Sequence, residues 1–487
     1  MTPAARGAMD DVVRRLMDNE HVPGVVYGVI ASGELAHVTG LGSVSGPGVY
    51  ACTPDQTTVF RVASMTKSFT AAAILLLRDE GRIRLDEPVA SYVPAVAGFR
   101  LPTSDSPAIA VRHLLSMASG LATDDPWGDR HLDGTAEWMD ELLAAGGTFA
   151  VAPGTAFEYS NYGFAILGRV IDHVTGASYQ RFISERFLVP LGMSATTWVA
   201  PSTPAVGCRW IDDRWVAEEP LGDGAFAAMG GLWSNIDDLA RWVSFLLDAF
   251  PPRDDVDDGP LRRSSRREMQ QVVRGLPVSV TTLDNGGTRL GPSGYGMGLN
   301  VIPDLTLGHM VAHSGGLPGF GSNMRWSIDR GVGVIALGNV TYAPMAALTR
   351  ELFDVLEDSG VLPLPVVLSS EVLSVAANKL TDLLLGWDDD VADALFADNV
   401  FLDNERDRRR DEAERFRVAC WPVLARTLGV NACTNRTMVL QCERGAARVE
   451  LQLSAEVPPR VQWYELTHPA VRTTHRLADG SAEVTNG

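Results

Sequence analysis

Lysine is almost missing from this chain. Of 41 basic residues only two are lysines, Lys67 and Lys379, and the rest are arginines. Arginine keeps its proton in a protein, whereas a buried lysine can give it up. The two lysines are therefore the residues to inspect for proton chemistry. Lys379 falls in a helical stretch read as surface, where chance survival explains it; Lys67 opens one of the most apolar helical segments in the chain. Cysteine is scarce as well. Cys52, Cys208, Cys420, Cys433 and Cys442 make an odd count with no C-x-x-C pair, which predicts reduced thiols rather than a disulfide framework or a zinc site. The nine histidines show no H-E-x-x-H spacing, so neither a metal nor a cofactor is expected. No apolar run approaches the ~18–20 residues needed to cross a bilayer. The first ten residues contain no apolar h-region, so the expectation is a cytoplasmic protein without a secretory signal or a membrane partner. Positive charge is short: 41 basic residues against 60 acidic ones leave a net charge of −19, which repels phosphate backbones and excludes non-specific nucleic-acid binding.

What is present is enough for a large core. Apolar residues make up 46% of 487 positions. A helix over about 8–19 leads to a strand over Val25–Ile30, a turn at Ser32-Gly33 and a returning strand over Glu34–Thr39. The segment Ser64–Glu80 is apolar on nearly every face, the pattern of a helix buried in a large domain, and Gly81 is placed to end it. The middle, about 86–249, reads as mainly helical, and the charged, proline-rich stretch Pro251–Arg267 reads as a surface loop. Strands return at Gly296–Ile302, His309–His313, Gly321–Ile328 and Gly331–Leu337, followed by a helix over Met345–Glu357. Sheet, helical middle and sheet again predict an α+β domain over 1–358, with a helical subdomain inserted between the halves of one antiparallel sheet. Residues 359–370 read as a linker. Residues 371–487 read as a small α+β domain, with helices over Glu371–Phe396 and Asp407–Leu428 and three short strands after them.

Three short motifs carry chemistry. In Ser64-Met65-Thr66-Lys67, a three-residue helical spacing sets a hydroxyl and an amine on one face. Serine needs a base to become a nucleophile, and burial lowers a lysine's pKa toward a base's range. Tyr159-Ser160-Asn161 follows 95 residues later. A tyrosine near a lysine exchanges protons, and an asparagine carboxamide can steady the amine or donate to a substrate carbonyl; a core tyrosine and a helix cap explain the same residues. His313-Ser314-Gly315-Gly316 ends an apolar strand. Small residues there admit a substrate backbone and a backbone N–H for an oxyanion, and His313 could orient substrate or bind a carboxylate; a structural histidine before a glycine-rich turn is the alternative. Asp124, Asp125 and Trp127 lie on a loop that either rims a cleft or is simply solvated.

Together, in this order, the three motifs form one acyl-transfer constellation. With Phe60-Arg-Val-Ala-Ser-Met-Thr-Lys67, Val111-Arg-His-Leu-Leu-Ser-Met-Ala-Ser-Gly120 and Gly230-Gly-Leu-Trp-Ser234, the chain over about 8–357 resembles the serine β-lactamase and penicillin-binding-protein-like hydrolases. The likeness is greatest to the class C β-lactamase-related group, with its D-aminopeptidases, DD-carboxypeptidases and carboxylesterases. The resemblance implies a β-lactamase/transpeptidase-like fold. It makes Ser64 the acylated nucleophile and assigns proton transfer jointly to Lys67 and Tyr159. It gives Asn161 the substrate's carbonyl side, and the backbone N–H groups of Ser64 and Gly316 the oxyanion. His313, Ser314 and Gly315 line the strand on which substrate lies. The expected partner is a small-molecule or peptide substrate, with self-association through the C-terminal domain. His313 stands where many β-lactamases have the lysine of Lys-Thr-Gly, which implies weak or no β-lactam turnover and points to small esters, amides or D-amino-acid peptides. An acyltransferase, or a non-catalytic binding protein on the same fold, are the alternatives.

Overall fold

The computed structural model describes residues 1–282, 288–364, 371–428, 435–443 and 445–468. The chain divides into two units, Met1–Val366 and Val367–Gly487. Six of the twelve residues read as a linker, 365–370, lie outside the described residues, as does Cys433.

An antiparallel eight-stranded sheet organises the first unit. Its strands in chain order are β1 (Gly24–Ala31), β2 (Glu34–Gly42), β3 (Arg274–Gly275), β4 (Gly294–Tyr295), β5 (Asn300–Asp304), β6 (Gly308–Leu317), β7 (Phe320–Ser327) and β8 (Val332–Gly338). Across the sheet the order is β2-β1-β8-β7-β6-β5-β4-β3. The N-terminal hairpin therefore closes against the last strand, Val25 opposite Gly338, and the long middle of the chain leaves the sheet and comes back. Ser32 and Gly33 both take positive φ, 53° and 78°, the turn whose twist suits a two-residue hairpin.

Both faces of the sheet are covered. Helices α1 (Pro3–Asn19), α2 (Thr66–Asp79), α3 (Asn161–Thr175), α4 (Ile236–Leu247), α5 (Arg263–Met269) and α6 (Met345–Asp358) are the ones that matter for the site. Val25, Tyr27 and Val29 share one cluster with Met9 and Val13 of α1 and Leu348 and Phe353 of α6. Val26 and Ile30 share the other with Phe69 of α2 and Trp242 of α4. Alternate strand residues thus bury on opposite faces, which is why β1 and β8 read as unbroken apolar runs. Every residue of α2 from Thr66 to Leu77 is buried. Among the described residues no helix is long and apolar enough to cross a membrane.

The second unit packs helices Glu371–Leu385 and Arg406–Cys420 against an antiparallel sheet of Val423–Leu428, Asn435–Cys442, Gly445–Leu453 and Val461–Thr467, paired in that order. Leu380, Phe416, Leu440 and Leu451 share its core.

Several expectations need correction. Pro251–Arg267 is not all surface loop. Its end forms α5, where Arg266 is 1% exposed and reaches Asp248 and Asp257, at 3.2 and 3.1 Å. The charges there pair with one another instead of facing water. The helix read over Asp407–Leu428 stops at Cys420; Pro422 cannot continue a helical ladder, and Val423–Leu428 is a strand. The helix read over Glu371–Phe396 breaks after Leu385, at Gly386. Of the strand read over Gly296–Ile302 only Asn300–Ile302 is strand, the start of β5; residues 296–299 turn the chain from β4 into it, with Gly298 at φ 71°. His313–Gly316 is no turn: β6 runs unbroken to Leu317, and the chain reverses at Gly319, φ 86°.

Candidate active site

Ser64 sits in a single tight turn, Ala63–Met65, that runs straight into α2. Ala63 takes φ 50°, a left-handed backbone that costs an L-residue on the order of 1 kcal/mol. Packing from β6 enforces it. A Cβ at Gly315 would stand 2.2 Å from the Val62 carbonyl oxygen and 2.9 Å from Ala63 Cβ, so only glycine lets the strand lie against the turn. The pairing of β6 with β5 ends at Ala312, whereas its pairing with β7 continues to Leu317. Among the described residues, 313–317 therefore have a neighbouring strand on one side only.

Lys67 lies one turn beyond Ser64 and is fully buried. Its amine donates to Ser64 Oγ at 2.7 Å, Asn161 Oδ1 at 2.7 Å and the Met229 carbonyl at 2.8 Å. Desolvation lowers its pKa to about 8, against the pull of Asp125, Asp129 and Asp124 toward the charged form. Arg61 steadies the loop that supplies Met229, donating to the carbonyls of Leu221 and Gly222 at 2.6 and 2.9 Å.

Asp124 fixes the start of α3. Its carboxylate accepts from the backbone N–H groups of Asn161 and Tyr162, at 2.7 and 2.9 Å. That cap holds Asn161 over Lys67. Lysine only donates and a carboxylate only accepts, so the Asn161 amide has one sensible orientation: Oδ1 toward Lys67, Nδ2 toward Asp125 at 3.0 Å. Oδ1 is thus committed to Lys67, and Asp125 takes one of the two Nδ2 hydrogens. The Lys67 amine stands 4.9 Å from the centre of the Tyr159 ring. The Tyr159 hydroxyl bonds Ser64, yet burial first, then Tyr295 and Asp125, push its pKa well above the usual range. It is a protonated phenol at rest, not a phenolate.

His313 is 2% exposed, and burial followed by the charge of Lys67 lowers its pKa to about 3. Its Nδ1 lies 2.6 Å from the Ser314 carbonyl, which can only accept, so that nitrogen carries the proton. Nε2 then accepts from the Tyr295 hydroxyl at 3.0 Å. A neutral ring with both nitrogens engaged does not bind a carboxylate, and that expectation is corrected. Ser314 is exposed, and its Oγ accepts from Asn323 Nδ2 at 2.9 Å.

These residues open onto a cleft of about 370 Å³. Ser64, Tyr159, His313, Ser314 and Gly316 line it, joined by Asp125, Pro126, Asp129, Asn300 and Tyr342. Lys67 and Asn161 lie beneath, and Gly315 is packed on the turn. Asp129, Asn300, Tyr295 and Tyr342 are residues sequence reasoning missed. One signal was available for the first: Gly128, between the acids of Asp124–Asp129, leaves room that a Cβ, 2.7 Å from Asn161 Cβ, would close. Of the loop residues considered for the rim, Asp125 lines the cleft and Asp124 is the helix cap. Trp127 packs instead on His131 and Phe226, with ring centres 4.7 and 5.7 Å apart. Among the described residues no group of three His, Cys, Asp or Glu side chains could hold a metal ion.

The chain is 27% identical over 361 residues to Protein flp of Staphylococcus aureus (strain MW2), covering 72% of this chain and 66% of that protein, just under two thirds of its length. It is 29% identical over 195 residues to the D-alanyl-D-alanine-carboxypeptidase/endopeptidase AmpH of Escherichia coli (strain K12), covering 39% of this chain and 49% of AmpH. Among solved structures, the octameric penicillin-binding protein homologue from Pyrococcus abyssi superposes with a TM-score of 0.62 at 19% identity, covering 94% of this chain and 99% of that one. A class C beta-lactamase matches with a TM-score of 0.57 at 17% identity, over 72% of this chain and 96% of its own. At these identities the structures speak for the fold alone. The Beta-lactamase family model, however, matches residues 9–357 without leaving the first unit, and on that match the chain belongs to the Beta-lactamase family.

Proposed function

We propose that this chain is a serine hydrolase that carries its substrate's acyl group on Ser64, cleaving small esters, amides or D-amino-acid peptides. The observation behind the reading is the bonding of Lys67. A charged amine spends its three protons on Ser64 Oγ, Asn161 Oδ1 and the Met229 carbonyl. When it loses one, Asn161 Oδ1 and the Met229 carbonyl still demand donors and cannot give any. The lone pair must then face Ser64. The neutral amine takes the Ser64 proton as Oγ attacks the substrate carbonyl, and the backbone N–H groups of Ser64 and Gly316 receive the oxyanion. Tyr159, a phenol bonded to Ser64, relays the proton: it gives its own to the leaving group and takes one from Lys67. Water enters along the same relay in reverse and releases the acid.

Among the described residues a neutral His313 and a cleft without a lining Arg or Lys offer no cation for a penicillin's carboxylate, so weak or absent β-lactam turnover is part of the proposal. Self-association is also proposed, because the Pyrococcus neighbour that covers both units is octameric. The test of the hydrolase reading is intact-protein mass spectrometry with a fluorophosphonate, p-nitrophenyl butyrate, a D-amino-acid p-nitroanilide and a penicillin, beside Ser64→Ala. A single adduct on the wild type alone, with ester or amide turnover, is expected. Turnover that survives in Ser64→Ala would end the reading.

A further inference from the structure

The cleft carries two carboxylates that bias Lys67 toward its charged form but accept no hydrogen bond from Ser64, Lys67 or Tyr159 among the described residues. Its charged lining side chains are Asp125 and Asp129. Asp125 accepts from the Asn161 amide and Asp129 from the Tyr342 hydroxyl, neither of them a cation, and Lys67 below donates to three other acceptors. Asp129 is 3% exposed. One of its oxygens, Oδ2, accepts from the Tyr342 hydroxyl at 3.1 Å; the other, Oδ1, has no hydrogen-bond partner. A buried carboxylate oxygen left without a donor is destabilising unless something supplies one.

Tyr342 shows where that donor would stand relative to the reacting carbonyl. It takes φ 55°, a rare backbone for a bulky residue. Its ring lies against Gly316, where a Cβ would be 2.7 Å from Cδ1, and its hydroxyl reaches Asp129. One tyrosine side chain therefore spans from the strand at Gly316 to the carboxylate. A group seated on Asp129 lies about that far from a carbonyl seated on Gly316, a gap that a short aminoacyl group bridges.

We propose that Asp129, assisted by Asp125, is the receptor for a positively charged nitrogen on the acyl donor, so that the preferred substrates are aminoacyl esters or amides with a free primary ammonium. The proposal rests on the serine-hydrolase reading of the same cleft and decides which end of a peptide-like substrate it accepts. The ammonium gives Oδ1 its missing donor and sits in the field of two carboxylates, whereas a substrate carboxylate in that place meets both as like charges. Desolvation and Asp125 raise the Asp129 pKa to about 7, so the carboxylate form is available in neutral solution and an ammonium beside it favours that form further.

The experiment compares alanine p-nitroanilide with its N-acetyl and N-succinyl derivatives, in both enantiomers, at pH 7.5. The expected kcat/KM favours the free amine over the N-acetyl form by 30-fold or more, with the N-succinyl form slowest. In Asp129→Asn that ratio should fall at least tenfold, whatever happens to the absolute rates. Equal kcat/KM for amine and N-acetyl substrates in the wild type, or preference for the N-succinyl form, overturns the proposal while leaving the hydrolase reading intact. A second arm is independent of turnover. Alaninamide and N-acetylalaninamide are titrated into Ser64→Ala by calorimetry, and the free amine should bind at least tenfold tighter. Indistinguishable binding of the two overturns the ammonium site even if no substrate is ever turned over. Failure of the hydrolase reading shows separately, as absence of a fluorophosphonate adduct on the wild type.

Discussion

Adding one methyl group at Gly315 should disable acyl transfer without unfolding the protein. The alanine Cβ would stand 2.2 Å from the Val62 carbonyl oxygen, 1.2 Å short of the 3.4 Å where ordinary contact begins. That oxygen is not free to move, because it accepts from Ser322 Oγ at 2.7 Å and from the Met65 N–H at 3.3 Å. Ser322 Oγ itself would be 2.4 Å from the new carbon. The relief available is for β6 and the Ser64 turn to part by about 1 Å. Those are the two elements that hold the proposed oxyanion donors. A 1 Å misplacement costs about 100-fold in rate, and loss of one oxyanion donor costs about 10²–10³-fold. Gly315→Ala should therefore lower kcat on p-nitrophenyl butyrate by about 100-fold, with a smaller change in KM. The overpacking should cost about 1–3 kcal/mol of stability. Gly275→Ala is the control, since nothing lies within 4 Å of its added Cβ. Stopped-flow acylation with thermal melts reads both effects. A folded Gly315→Ala that acylates within threefold of wild type would refute the argument that this strand positions the oxyanion site.

Lys67→Arg keeps the charge but cannot supply a base, so kcat/KM should fall nearly as far as in Ser64→Ala, on the order of 10⁴–10⁶-fold; near wild-type turnover defeats the proton-transfer argument. For a neutral ester, kcat/KM should rise with pH and level off above about 8, because the lowered Lys67 pKa makes its base form dominant there. Asp129 favours the charged amine, with Asp125 and Asp124, so Asp129→Asn should move that limb to lower pH; a shift to higher pH contradicts the assignment. Asp129 also predicts a stability effect of definite sign. Its pKa rises on folding from 3.8 to about 7, so between those values the folded chain holds a proton that the unfolded chain has released. Wild-type stability should fall across that window by on the order of a few kcal/mol relative to Asp129→Asn, read as a melting-temperature gap that grows from pH 4.5 to pH 8; a shrinking gap is the contrary result. Light scattering on the full chain should give a multiple of 52.4 kDa, and a strictly monomeric mass would remove the self-association proposal.

Legibility followed the range of the interactions involved. The hairpin at Ser32-Gly33, the buried helix after Ser64 and the late strands were readable because turn chemistry and apolar pattern are local properties. Failures came where distant partners decided the outcome. Arg266 reads as solvent-seeking until Asp248 and Asp257 neutralise it in place. Helix propensity in Asp407–Leu428 outlasted the helix because Pro422 and the pairing of Val423–Leu428 with Asn435–Cys442 took over. The glycines of His313–Gly316 suggest a turn, yet Gly315 is small because the turn carrying Ser64 presses on it from another part of the chain.

The same distinction separates the parts of the site. Ser64 and Lys67 were legible because three residues of helix fix their relation, and because a chain nearly without lysine makes Lys67 conspicuous. Tyr159 and Asn161 were recognisable by motif, but their states were not. Asn161 is turned toward Asp125 by a carboxylate 36 positions away in sequence, and Tyr159 is kept a phenol by burial that no local pattern records. Tyr342 and Asp129 stand 213 residues apart and meet through one hydrogen bond. Tyr342 has no neighbour in sequence that marks it as part of a cleft, and Asp129 has only Gly128. Of the groups proposed to move the proton, Ser64 and Lys67 sit one helical turn apart and are written locally, whereas Tyr159 comes from a distant segment. The groups proposed to choose the substrate are drawn from separate segments and meet only after the fold brings Gly316, Tyr342 and Asp129 to one opening. That arrangement lets the choice of substrate change through residues that leave Ser64 and Lys67 where they are.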